Sequence, residues 1–155
     1  MESTRSSARF SGRRIKRSIY IDLKSICFIE NEKLDQFKKI DPLEKFINMK
    51  DNEAKDSSME SGKRMTNIGL FRKYMEFYLQ NHAKIRKDMT LVVRHRQPTE
   101  NGLPVEIYAF TSETGLRAYE EIQSEVFDHI LSILPEFGLR VFQNPTGEDF
   151  RKLIS

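Results

Sequence analysis

Apolar positions recur along this chain with two different periods, and the change of period marks its elements. From Arg14 to Asp22 the period is two: Ile15, Arg17, Ile19 and Ile21 share one side, and Arg14, Lys16, Ser18, Tyr20 and Asp22 the other. Alternation of this kind predicts a strand with one buried face, because successive side chains leave a strand on opposite sides. Ile26–Ile29 is read as an extension of that strand after a bend at Lys24–Ser25. Asn31 can cap a helix carrying Leu34 and Phe37. Asp41-Pro42-Leu43-Glu44 restarts it, with Asp41 as N-cap, Pro42 in the first helical position and Glu44 reaching back. Leu43, Phe46 and Ile47 supply the apolar side of that second piece. Residues 50–63, KDNEAKDSSMESGK, carry no period and predict a mobile loop. Thr66 or Asn67 then caps a helix to Asn81 whose stripe is Leu70, Phe71, Tyr74, Phe77 and Tyr78, read as core packing.

Met89–Arg96 and Pro104–Thr111 return to strand composition. The link between them holds Pro98 and an Asn101-Gly102 turn signal, so the two strands are expected to pair as an antiparallel hairpin. In the second of them Val105, Ile107 and Ala109 alternate with Glu106, Tyr108 and Phe110. The stretch Thr111–Phe142 holds the strongest helical signal. Leu116, Tyr119, Ile122, Val126, Phe127, Ile130, Leu131 and Leu134 recur at gaps of three and four, which places them on one stripe. Thr111 and Ser112 offer capping oxygens, and Glu113 puts negative charge near the positive end of the helix dipole. Pro135 and Gly138 end the helix, and Leu139–Phe142 reads as a last short strand. An amphipathic helix of this length running into a strand needs a sheet to lie on. The expected class is therefore α+β: a ferredoxin-like βαββαβ antiparallel sheet with an inserted helix over residues 66–81.

Composition narrows the picture without naming a chemistry. The chain has 155 residues, enough for one domain with tails, and a formal charge of +3, too mild to argue for nucleic acid alone. Residues 1–11 are Ser- and Arg-rich and read as a disordered basic lead-in; 148–155 reads as a C-terminal tail. One cysteine, Cys27, excludes an internal disulfide and a multi-cysteine zinc site. No run of about 18 apolar residues is present, so no membrane span is expected, nor does the start resemble a signal peptide. His82, His95 and His129 lack ligand spacing; His129 is read as a partly buried packing residue. Cys27 has no base nearby in sequence, and the adjacent Glu120 and Glu121 diverge on a helix. No Gly-rich phosphate loop occurs. No catalytic, cofactor or metal residue is expected, and no enzyme.

One binding pattern competes with a purely structural role. In sheet-based RNA binders of this topology, aromatics on the central strands stack bases. Tyr20, Tyr108 and Phe110 are the candidates, with the basic lead-in as support. Glu106 shares the face of Tyr108 and Phe110 and sets negative charge where phosphate would pass, and the Gly-aromatic signature of those binders is absent.

Four blocks in order carry a family resemblance: GRRIKRSIYID at 12–22, RMTNIGLFRKYMEFYLQNH at 64–82, DMTLVVRHRQPTENGLPVEIYAFT at 88–111 and FDHILSILPEFGLRVFQNPTG at 127–147. Together they resemble the C-terminal cytoplasmic region of bacterial mechanosensitive channels of the small-conductance family, in particular the miniconductance branch. The resemblance implies a homo-oligomer, a heptamer in most members, at the inner membrane, opening under tension during hypo-osmotic shock. It implies that residues 12–147 are the α/β domain of the hollow cytoplasmic vestibule, without the pore helices or the preceding β domain. By itself this chain is then expected to be soluble and cytoplasmic, with no cofactor and no nucleic-acid partner. The alternative is a free-standing ferredoxin-like module that binds RNA or a regulatory partner.

Overall fold

The computed structural model describes residues 12–56, 65–145 and 147–154. Three strands form one antiparallel sheet in the order β1–β3–β2: β1 is Arg14–Ile21, β2 Val92–His95 and β3 Leu103–Phe110. β3 is central. It pairs with β1 from Arg14 opposite Phe110 to Ile21 opposite Leu103, and with β2 from Val92 opposite Tyr108 to His95 opposite Val105. The class is α+β, as the periodicity predicts.

The register explains the burial. Ile15, Ile19 and Ile21 of β1, Val93 of β2 and Val105, Ile107 and Ala109 of β3 all lie on one face and are buried. Helix α3, Asn67–Gln80, and helix α4, Leu116–Ile133, bring Leu70, Phe71, Met75 and Leu79 and then Ile122, Val126, Phe127 and Ile130 into the same core. Even a charged residue on that face confirms the layering: Arg17 lays its guanidinium 4.3 Å from the Phe127 ring centre of α4. The hairpin is as expected, closed by Thr99 N to Gly102 O at 2.9 Å. Gly102 adopts φ 101°, and an added Cβ there would meet the Ile21 carbonyl oxygen at 2.5 Å.

Several expected boundaries move. The helix expected as an insertion over residues 66–81 is α3, which packs on the sheet and fills the core beside α4. Two more helices precede it, α1 at Asn31–Phe37 and α2 at Leu43–Asp56, seated through Leu34, Phe37, Leu43 and Ile47. Phe37 stacks on Phe137 at 5.2 Å, which ties α1 to the far end of α4. α2 runs on through Lys50–Asp56, so the first half of the loop expected at 50–63 is helical, and the rest lies outside the described residues. The charged end of α2 carries no apolar period to read, yet its Lys50, Glu53, Ala54 and Lys55 are residue types that propagate a helix well once it has been nucleated. Pro42 sits in the turn before α2 rather than inside it. Ile26–Ile29 does not extend β1. A short 3-10 turn, Leu23–Ser25, diverts the chain, and Phe28 bridges Thr66 instead.

Helix α4 starts at Leu116 behind Gly115, not at the offered caps. Thr111 is fully buried and otherwise engaged: its N–H donates to Arg13 O at 2.9 Å and its Oγ1 to Glu113 O at 2.7 Å. Leu116 and Leu131, placed on the apolar stripe by spacing, are exposed. Gly138 does end the following 3-10 turn, Leu134–Phe137, at φ 68°. The last expected strand shrinks to a single antiparallel bridge, Ile21 to Val141, held by Asp22 N to Arg140 O and Phe142 N to Tyr20 O, both 2.8 Å. Gly147–Ile154 forms helix α5, which begins one residue before the tail expected at 148–155. The lead-in 1–11 lies outside the described residues.

Candidate functional site

Two features hold polar chemistry: a cleft where the end of α3 meets α4, and the sheet face turned away from the helices.

On α3, Tyr74 and Tyr78 are four residues apart and stand one above the other on one side of the helix axis, and His82 follows just past the helix end. His129 of α4 meets that row. Its ring lies parallel to Tyr78 at 4.0 Å, and its Nε2 is 2.8 Å from the Tyr74 hydroxyl. Tyr78 in turn takes His82 edge-on at 5.8 Å. His82 Nδ1 accepts the Lys84 backbone N–H at 3.1 Å, which leaves the proton of the neutral ring on Nε2. That Nε2 faces Glu125 Oε1 at 3.3 Å, but the oxygen lies off the N–H direction, so the contact is electrostatic and not a hydrogen bond. Asp41, Pro42, Phe77, Asn81 and Ala83 complete a shallow cleft of about 490 Å³.

Burial tunes the cluster. It holds the His129 imidazole below its usual value, because the charged ring would lose hydration. It raises the Tyr74 phenol, and raises Tyr78 further with the Glu125 carboxylate and Tyr74 beside it. Stacking and one hydrogen bond therefore lock a neutral His129 between two protonated tyrosines. His129 is indeed a partly buried packing residue, as read from its place beside the stripe. Each side chain of the cluster is already committed to a neighbour. His95 stands exposed on β2, far along the chain from either partner, and Cys27 is exposed with its N–H given to Asn67. Among the described residues no group of three or more His, Cys, Asp or Glu could hold a metal ion.

The second feature is the outer sheet face. Arg14, Lys16 and Tyr20 of β1, Val92 and Arg94 of β2, and Arg96 just beyond are exposed, with Tyr108 and Phe110 of β3 half-buried between them. The register puts Lys16 and Val92 on either side of Tyr108, and Arg94 opposite Glu106. Glu106 is only 6% exposed, and its Oε1 accepts from Arg94 Nε at 3.0 Å and Nη2 at 2.9 Å. Arg96 Nη1 adds a charge 3.7 Å from Oε2. The Glu106 charge that sequence reading sets against phosphate is thus compensated on the spot. Sequence reading named no partner for Glu106; the hairpin was the available signal, and the observed register is what sets Arg94 opposite it.

Asn67 is the functional side chain of the scaffold that spacing reveals least. It is buried, yet every polar atom is used: Oδ1 accepts from Cys27 N at 3.0 Å and Ile68 N at 2.9 Å, and Nδ2 donates to Ser25 O at 2.8 Å and Phe137 O at 3.0 Å. It joins the chain after β1, the start of α3 and the end of α4.

No family model matches the chain.

Proposed function

We propose that this chain is the cytoplasmic α/β vestibule domain of a mechanosensitive channel of the small-conductance family, miniconductance branch, with a structural and assembly role. The observation that carries the reading is the edge of the sheet. The segment after α4 returns beside β1 through the Ile21–Val141 bridge, next to the order β1–β3–β2, which supports the ferredoxin-like order that the resemblance implies. The four resembling blocks fall on the elements of that layer: β1, α3, the β2–β3 hairpin, and the second half of α4 with the returning segment. Among the described residues no helix is long and apolar enough to cross a membrane, so in this reading the pore is supplied by chain outside these elements.

The test is replacement. Residues 12–147 are exchanged for the corresponding domain of a full-length small-conductance channel, and cells lacking such channels are shifted to dilute medium. Survival at the level of the unmodified channel is expected. A replaced channel that reaches the membrane at normal abundance and size yet gives no survival overturns the reading. The RNA-binding alternative draws on Tyr108 and Phe110, but two of the cations beside them are committed to Glu106, which weakens it.

A further inference from the structure

We propose that the basic outer sheet face docks, head to tail, on the acidic outer side of helix α4 of a second copy of this chain. The two surfaces are complementary in charge and both carry exposed apolar groups. The sheet face presents Arg14 and Lys16 as the cations not engaged by Glu106, with Arg94 and Arg96 gathered on the Glu106 carboxylate and Tyr20 and Val92 open to solvent. The solvent side of α4 presents Glu120, Glu121, Glu125 and Asp128 against one cation, Arg117, and exposes Leu116 (65%) and Leu131 (52%) at its two ends. Leucines left in water at the ends of an acidic stripe, and a valine and a tyrosine on a basic sheet, are the composition of contact patches with an apolar component and charged surroundings.

Their placement forbids contact within one molecule. The inner face of the sheet is packed on α4 through Ile15, Ile107, Val126 and Phe127, so the outer sheet face and the outer side of α4 point in opposite directions. Each copy therefore offers a donor surface on one side and an acceptor surface on the other. A contact between two such different patches is heterologous, and repeated it closes into a ring or grows as a filament. The inference deepens the proposed channel reading by naming the face through which domains meet, and it rests on that reading only for closure into a ring. The pairwise contact stands on charge and exposure alone.

The experiment uses the whole chain and two variants. One is Arg14→Glu with Lys16→Glu; the other is Glu120→Lys with Glu121→Lys. All four side chains are exposed and none of them satisfies a buried partner, whereas Arg94 is left alone because it compensates Glu106. Sedimentation is measured across concentration at low ionic strength, where exposed charges are least screened. The unaltered chain is expected to associate, and each variant alone to lose at least about tenfold in affinity, because like charges then face each other. Mixed in equal amounts, the two variants are expected to regain association, since acidic α4 of the first meets the basic sheet of the second and the inverted pair also matches. Folding of each is checked by thermal unfolding. Loss without recovery on mixing overturns the proposal, as does association unchanged in both variants. So does binding of a labelled single-stranded RNA that competes with association and is lost with Arg14→Glu and Lys16→Glu. None of these outcomes depends on osmotic rescue, so failure here and failure of the channel reading are told apart.

Discussion

Asn67 shows how much of this fold hangs on one side chain. Its four contacts reach segments that share no sheet or helix, so replacing it leaves buried N–H and C=O groups without partners. Asn67→Ala is expected to lower unfolding stability by on the order of 3 kcal/mol in a denaturant titration. Glu106 poses the opposite case, a nearly buried carboxylate whose compensation comes from half-exposed arginines. Arg94→Ala should cost about 1–3 kcal/mol, the low end reflecting solvent around the guanidinium and the residual charge of Arg96. Arg94→Ala combined with Glu106→Gln should recover part of that loss, because the charge that needed a partner is gone.

His129 gives the residue scale a pH signature. Its imidazole is held below the usual value near 6.5 by burial, so below that pH the unfolded chain takes up a proton that the folded chain does not. Stability is therefore expected to be full above this value and to fall as pH drops below it. His129→Phe should flatten that limb while keeping the stack on Tyr78. At the alkaline end the raised Tyr78 works the other way: above its usual value near 10 the unfolded phenol ionises first, and stability falls as pH rises. A Tm profile that stays level from pH 7 to 5 in the unaltered chain would contradict the assignment for His129.

At the scale of elements, two glycines separate two physical demands. Gly138 stops the turn after α4 at φ 68° with the nearest atom 3.9 Å from a built Cβ, so Gly138→Ala bears only the left-handed backbone cost, about 1 kcal/mol. Gly102 combines φ 101° with a Cβ position 2.5 Å from the Ile21 carbonyl oxygen, so Gly102→Ala must also displace β1. Its cost should exceed that of Gly138→Ala by about 1 kcal/mol or more. Both were legible as turn residues from sequence; only the second depends on a neighbour 81 positions away in a strand that the hairpin must approach. The same division runs through the rest. β1, the hairpin, α3 and the body of α4 were readable because their periodicity reports which face is buried. The tail of α2, the diversion at Leu23–Ser25 and the shortening of the last strand to one bridge were not, because charge-rich or short segments take their structure from tertiary partners. The cleft was half readable: Tyr74 and Tyr78 stood in the α3 stripe and His129 beside that of α4, but nothing in either stripe says that His82 meets Glu125.

For the whole molecule, the domain is one α/β layer with a basic outer sheet and an acidic outer helix. Bringing copies together costs on the order of 4–15 kcal/mol of lost freedom, and one domain-sized contact offsets little more than that without a tether raising the local concentration. The isolated chain is expected to be a monomer that associates weakly with concentration, not a stable ring, and sedimentation from nanomolar to high micromolar protein checks it. A heptamer-sized species persisting at nanomolar protein contradicts this expectation. The channel reading itself is tested most directly by current. In membrane patches holding a small-conductance channel whose cytoplasmic α/β domain has been exchanged for residues 12–147, suction is expected to open channels reproducibly as tension rises. Patches with the exchanged protein present in assembled form but silent up to the tension that ruptures the membrane would contradict the account.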